Sequence, residues 1–172
     1  EFSPLCGIDL VASSVSEFAI MGGIFGDKVY WFGETKYDIE FNIKCDIEDA
    51  AFVTENSPAP ITFIEFELGI GVESFYRTAT SKVDSPIKRA FELFGVKMRS
   101  SWDPITVLYS KYGLCGGLYK FSPEGKVTID KDGRLAFEEG KGNHRYLIEK
   151  ASKSEITDYI NSFENKLSGE KL

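Results

Sequence analysis

With 172 residues, 42% of them hydrophobic, the chain is long enough to bury a core of its own, and its 27% of charged residues is ordinary for a globular protein. The balance of 20 basic against 27 acidic residues leaves a net charge of −7, and the tightest basic group is Lys88-Arg89. That argues against nucleic acid as a partner and leaves small molecules and metal cations open. No apolar run approaches the ~18 residues needed to cross a bilayer, and no basic-then-apolar leader opens the chain, so no membrane partner is expected.

Cys6, Cys45 and Cys115 are odd in number and lack metal-type spacing. Free thiols in a reducing, cytoplasmic setting are the expectation. The opening Glu1-Phe2-Ser3-Pro4 carries no initiator Met, as expected of a fragment or a processed product.

In chain order, Ile8 to Val15 reads as a short helix. The run Phe18-Ala19-Ile20-Met21, stopped by Gly22-Gly23, reads as a buried strand. Residues 24–39 mix aromatics, glycine and charge and read as a loop. Asp46 is a suitable N-cap for a helix from Ile47 to Thr54, with Asp49 at its third position. Asn56-Ser57-Pro58-Ala59-Pro60 ends that helix, and Ile61 to Phe66 reads as a second buried strand. Ser85-Pro86 opens a helix closed by Gly95, and Asp103-Pro104 opens another closed by Gly113. Val127 to Phe137 reads as a hairpin turning at Asp132-Gly133. His144 to Ile148 is a further strand, and Ser154 caps an amphipathic helix to Leu167, with Ile156, Tyr159, Ile160, Phe163 and Leu167 on one face. The alternation of helix and strand predicts an α/β fold.

Walker loops, dinucleotide fingerprints and Cys-x-x-Cys pairs are absent. His144 is the only histidine, so a His-based triad cannot be built from this chain. Three segments place polar groups beside apolar elements: Ile20-Met21-Gly22-Gly23, Glu40-Phe41-Asn42 and Ser100-Ser101-Trp102-Asp103-Pro104. In open α/β sheets ligands bind where loops converge at the carboxyl ends of strands. Two carboxylates, an amide and an indole would suit a polyhydroxylated ring. Each segment also has a plain structural meaning: a strand-to-loop turn, a pair of caps, and a helix start with a core tryptophan.

The ordered set Met21-Gly22-Gly23, Glu40-Phe41-Asn42-Ile43, Cys45-Asp46 with Ala50-Ala51, Pro60-Ile61-Thr62, Ser101-Trp102-Asp103-Pro104 and Asn143-His144-Arg145-Tyr146-Leu147 resembles the inosine–uridine-preferring nucleoside hydrolases. The resemblance implies the second, C-terminal half of a three-layer α/β domain, spanning 1–172, with a mainly parallel sheet, flanking helices and a small hairpin. It implies hydrolysis of the N-glycosidic bond of a ribonucleoside to ribose and free base, through an oxocarbenium-like transition state and with a calcium ion. Asp103 resembles a calcium ligand. Glu40 and Asn42 resemble residues that hold ribose hydroxyls, and Met21 one that lines the ribose pocket. Trp102 stands where some members have a histidine acid and others a tryptophan suited to stacking on the base.

Two departures from the family stand out. The segment between Gly23 and Glu40 is long, with Glu34 near the position of a ribose-contacting Asn. The N-terminal Asp-rich motif, which supplies most calcium ligands and the base that activates water, has no counterpart. The activity is therefore expected of the complete protein. The chain alone, with an incomplete calcium site, is expected to be inactive and to self-associate or require its missing half. A non-catalytic half-domain that binds a ligand or a partner chain is the alternative.

Overall fold

The computed structural model describes residues 4–167. Helix α1 (Gly7–Ser14) leads into strand β1 (Phe18–Met21), and a small hairpin of β2 (Tyr30–Phe32) and β3 (Thr35–Tyr37) follows. Next come α2 (Phe41–Cys45), α3 (Ile47–Asn56), β4 (Ile61–Ile64) and the single turn α4 (Phe66–Gly69). Then β5 (Glu73–Ser74), α5 (Tyr76–Thr80), α6 (Pro86–Phe94), β6 (Arg99–Ser100) and α7 (Trp102–Tyr112) follow. The chain closes with β7 (Tyr119–Phe121), β8 (Gly125–Ile129), β9 (Leu135–Glu139), β10 (His144–Glu149) and α8 (Lys153–Leu167). It divides into two compact units, Glu1–Glu67 with Lys120–Ile148, and Leu68–Tyr119 with Glu149–Leu172.

The first unit is built on a six-stranded sheet in the order β1-β4-β10-β8-β9, with β7 also pairing β10. The α/β class is as expected. β1, β4 and β10 run parallel, and β8 and β9 add an antiparallel hairpin, so the sheet is mixed. β4 is the middle strand of the parallel run: Ile61, Thr62, Phe63 and Ile64 are all buried, as a strand flanked on both edges should be. Ile61 and Phe63 join Ile43, Val127, Ile129 and Leu135 in one cluster. Fully burying side chains of this size stabilises by ~1.5–3 kcal/mol each.

Local chemistry sets the helix ends. Asp46 accepts the Asp49 N–H at 3.1 Å and caps α3, and Ser85 accepts the Lys88 N–H at 3.1 Å and caps α6. Gly95 closes α6 in the left-handed region at φ 76°.

Several expectations are corrected. Residues 24–39 are not a plain loop; they hold the β2–β3 hairpin, turned at Gly33-Glu34, with Tyr30, Phe32 and Tyr37 packed around Phe66. The β8–β9 hairpin turns through residues 130–134, where the Asp130 carboxylate accepts the N–H groups of Asp132 and Arg134. That longer turn replaces the expected Asp132-Gly133 pair. The cap of α8 is Ser152, not Ser154. Glu155 donates its N–H to Ser152 Oγ and its carboxylate accepts the Ser152 N–H at 2.8 Å, a reciprocal box.

In the second unit, β5 and β6 pair antiparallel, α5 packs against α6 and α8, and Tyr112 of α7 meets Phe163 of α8. The hydroxyls of Ser74 and Ser101 share a buried hydrogen bond of 2.7 Å, and Glu164 of α8 accepts the Thr78 N–H of α5 at 2.5 Å. Ile156 and Ile160 of α8 are buried and Tyr159 and Phe163 meet edge to face. The side chain of Leu167 lies outside the described residues.

Candidate functional site

The carboxyl end of β1 carries the best-defined polar corner of the first unit. Glu40 stands at the N-cap of α2 with an extended backbone, and one carboxylate oxygen accepts the N–H of Asn42 at 2.8 Å and of Ile43 at 3.2 Å. It is only 2% exposed. Burial pushes its carboxyl above the ordinary range, and the N–H groups of Asn42, Ile43, Gly23 and Phe41 pull it partly back.

The cap fixes α2, and α2 places Asn42. Its Nδ2 donates to the main-chain oxygen of Met21 at 3.2 Å and lies 3.2 Å from the Met21 sulfur. A carbonyl oxygen only accepts, so the amide nitrogen must face it and the side-chain oxygen faces elsewhere. Asn42 is exposed, and its Oδ1 makes no hydrogen bond among the described residues. The corner thus offers an amide oxygen, a thioether and, behind them, a buried carboxylate. Gly22 and Gly23 let the backbone pass: a Cβ on Gly23, which has φ 97°, would stand 2.1 Å from Leu135 Cδ2.

Sequence reasoning missed a second polar group here. At the carboxyl end of β4, Glu65 is buried and burial raises its carboxyl, while Lys28 lies 3.5 Å away. Lys28 also meets Glu67 at 2.6 Å, and the Tyr30 hydroxyl donates to Glu67 at 2.9 Å. These contacts tie the β2–β3 hairpin to the end of β4. The only sequence signal was the alternation Ile64-Glu65-Phe66-Glu67 closing an apolar run. Glu34, by contrast, sits on the exposed hairpin turn.

The second unit holds Trp102 and Asp103, in the first turn of α7. Ser101 precedes them as the cap position, so Asp103 lies inside the helix rather than capping it. Trp102 is half-buried, and its ring lies so close to Gly69 that a Cβ there would sit 2.1 Å from Trp102 Cδ1. Asp103 is exposed at the rim of an apolar groove of about 640 Å³ between α7 and α8, lined also by Phe75, Val107, Tyr112 and Phe163. The five expected site residues therefore divide between the units: Met21, Glu40 and Asn42 come together in the first, Trp102 and Asp103 in the second.

Among the described residues no three His, Cys, Asp or Glu side chains gather in a way that could hold a metal ion. Asp103 alone does not fit a calcium site, which takes ~6–8 oxygens. The three cysteines are free. His144 is a core group: its Nδ1 accepts the Val127 N–H at 3.0 Å, possible only when that nitrogen is unprotonated, and burial holds its pKa below the ordinary value. Among the described residues no helix is long and apolar enough to cross a membrane.

No family model and no curated protein matches the sequence. Solved structures do match the fold. A plant nucleoside hydrolase aligns over 94% of this chain and 56% of its own, with a TM-score of 0.64 at 16% identity. An inosine–guanosine nucleoside hydrolase aligns over 90% and 54%, with a TM-score of 0.62 at 17% identity. An inosine–uridine-preferring nucleoside hydrolase from Bacillus anthracis aligns over 84% and 50%, with a TM-score of 0.55 at 16% identity. The chain therefore has a nucleoside-hydrolase-like fold and spans about half the length of these structures.

Proposed function

We propose that this chain supplies the sugar-holding half of a ribonucleoside N-glycosidase, which in complete form releases ribose and free base. The observation that carries the reading is the Glu40–Asn42–Met21 corner at the carboxyl end of β1, in a fold that nucleoside hydrolases match over most of this chain. Asn42 Oδ1 accepts a ribose hydroxyl, Met21 lines the sugar face, and the buried Glu40 carboxylate holds α2 and so positions Asn42. Trp102 stacks on the base; its indole N–H is no acid, so it assists departure of the base by stacking alone. Asp103 contributes one carboxylate to a calcium ion whose remaining ligands come from elsewhere. The setting is cytoplasmic, in keeping with three free thiols.

A second reading is a half-domain that binds a nucleoside or a partner chain without catalysis. The capping duty of Glu40 favours it, because one carboxylate oxygen is already committed to α2. Titration of ribose and inosine into the protein, with release of free base followed in parallel, separates the two. Sugar binding that Asn42→Ala abolishes supports the corner as a ribose site. Binding indifferent to Asn42 overturns it.

A further inference from the structure

The groove between α7 and α8 lies wholly within the second unit, and its volume of about 640 Å³ is that of a small-molecule site. Pro104, Val107, Leu108 and Lys111 of α7 line it, and Trp102 does not. At about 100° per residue those four fall on the helix face opposite the indole. The groove is therefore distinct from the platform proposed for the base.

From the other side, α8 sets a charge on its own apolar face. Glu164 follows Ile156 and Ile160 at four-residue spacing, lines the groove and is only 3% exposed. One of its oxygens accepts the Thr78 N–H at 2.5 Å and so caps α5, whose N-cap residue Phe75 offers no side-chain bond. Among the described residues, the other oxygen has no hydrogen-bond partner and the carboxylate has no counter-charge. Lys111, the cation that lines the same groove, lies over the Tyr112 ring at 5.3 Å instead. A buried carboxylate is costly unless a cation or further donors meet it. The remaining walls are aromatic: Phe75, Tyr112 and Phe163 line the groove, and the last two rings lie 5.3 Å apart. Aromatic faces attract organic cations. Phe75 is held at φ 73°, a left-handed conformation that gathers at ligand sites when a non-glycine residue adopts it.

We propose that this groove binds a primary ammonium compound with an aromatic or apolar body. The body lies against Phe75, Val107 and Phe163, and the ammonium donates to the second oxygen of Glu164. Asp103 at the rim adds a further negative charge, so the groove selects a cation over an anion of the same shape. The site does not rest on the proposed function.

The test titrates 2-phenylethylammonium, the neutral 2-phenylethanol and the anion phenylacetate into the full chain, followed by chemical-shift changes in the backbone amides. The expected result is saturable binding of the ammonium with shifts on α7 and α8, at least tenfold tighter than the alcohol, and no binding of phenylacetate. Glu164→Gln keeps the shape of the side chain and its acceptor for Thr78. It should weaken ammonium binding at least tenfold and leave the alcohol unchanged. Val107→Trp, at a position 64% exposed, should fill the groove and abolish binding of both. Three results overturn the proposal: no saturation by the ammonium, an alcohol that binds as tightly, or ammonium binding indifferent to Glu164→Gln. Should Glu164→Gln fail to fold, the preference for ammonium over alcohol in the parent and the loss of both in Val107→Trp decide alone. Neither calcium nor a nucleoside enters the measurement, so its failure leaves the functional reading standing, and failure of that reading leaves the groove.

Discussion

Asn42 donates its side-chain amide to the main-chain oxygen of Met21 at 3.2 Å, tying the first turn of α2 to the last residue of an edge strand. The tie leaves the amide oxygen for a ligand, and Glu40 holds the helix that makes it.

Glu40 and Asn42 should separate by substitution. Glu40→Ala removes the cap of α2 and should lower stability by ~0.5–2 kcal/mol, read as a lower melting temperature. Asn42→Ala should leave the melting temperature nearly unchanged and cut ribose affinity at least tenfold. Equal losses of stability in the two variants would make Asn42 a structural residue only.

Buried titratable groups predict opposite pH effects. Burial raises Glu40 and Glu65 above their ordinary value of 4.5, so each favours folding below that pH and loses the benefit as pH climbs through its folded value. Glu40→Gln should accordingly gain stability over the parent more at pH 7 than at pH 4. Burial lowers His144 below 6.5, so protonation costs stability as pH falls beneath that value. His144→Gln should flatten this acid limb in urea titrations; an unchanged limb would remove His144 from the account.

Gly69 and Trp102 form a steric pair. Gly69→Ala places a Cβ 2.1 Å from the indole, so the ring must move. A shift in Trp102 fluorescence, read in a Trp31→Phe background, together with a lower melting temperature is the expected outcome. In the complete form proposed above, Trp102→Ala should lower nucleoside processing roughly tenfold, since stacking of a base on an aromatic contributes ~1–3 kcal/mol. Unchanged kinetics with a collapsed melting temperature would assign Trp102 to the core alone.

Strong local chemistry was legible in the sequence. The apolar tetrad of β1, the caps at Asp46 and Ser85 and the Gly95 stop each act within a few residues, and each stands where expected, whereas the strand expected over Ile61 to Phe66 ends at Ile64 and gives way to α4 at Phe66. Elements defined by distant contacts were not legible. The β2–β3 hairpin is ordered by Phe66 and by the Lys28–Glu67 contact, about forty residues away in sequence. The five-residue α2 is capped by a glutamate, an unusual cap whose burial only the sheet supplies. The candidate residues from Met21 to Asp103 were legible as a set only as a resemblance to a family's order. The inward turn of Glu40 was not, since nothing in Glu40-Phe41-Asn42 says which side chain faces solvent.

Calcium-dependent release of free base from inosine and uridine tests the central claim most directly. The account predicts none from this chain alone, because Asp103 by itself leaves a calcium ion mostly hydrated. Release should appear once the chain is complemented by an aspartate-rich half, and Asn42→Ala or Asp103→Ala in this chain should reduce it at least tenfold. Turnover by the isolated chain, or release by the complemented pair indifferent to both substitutions, would contradict the account.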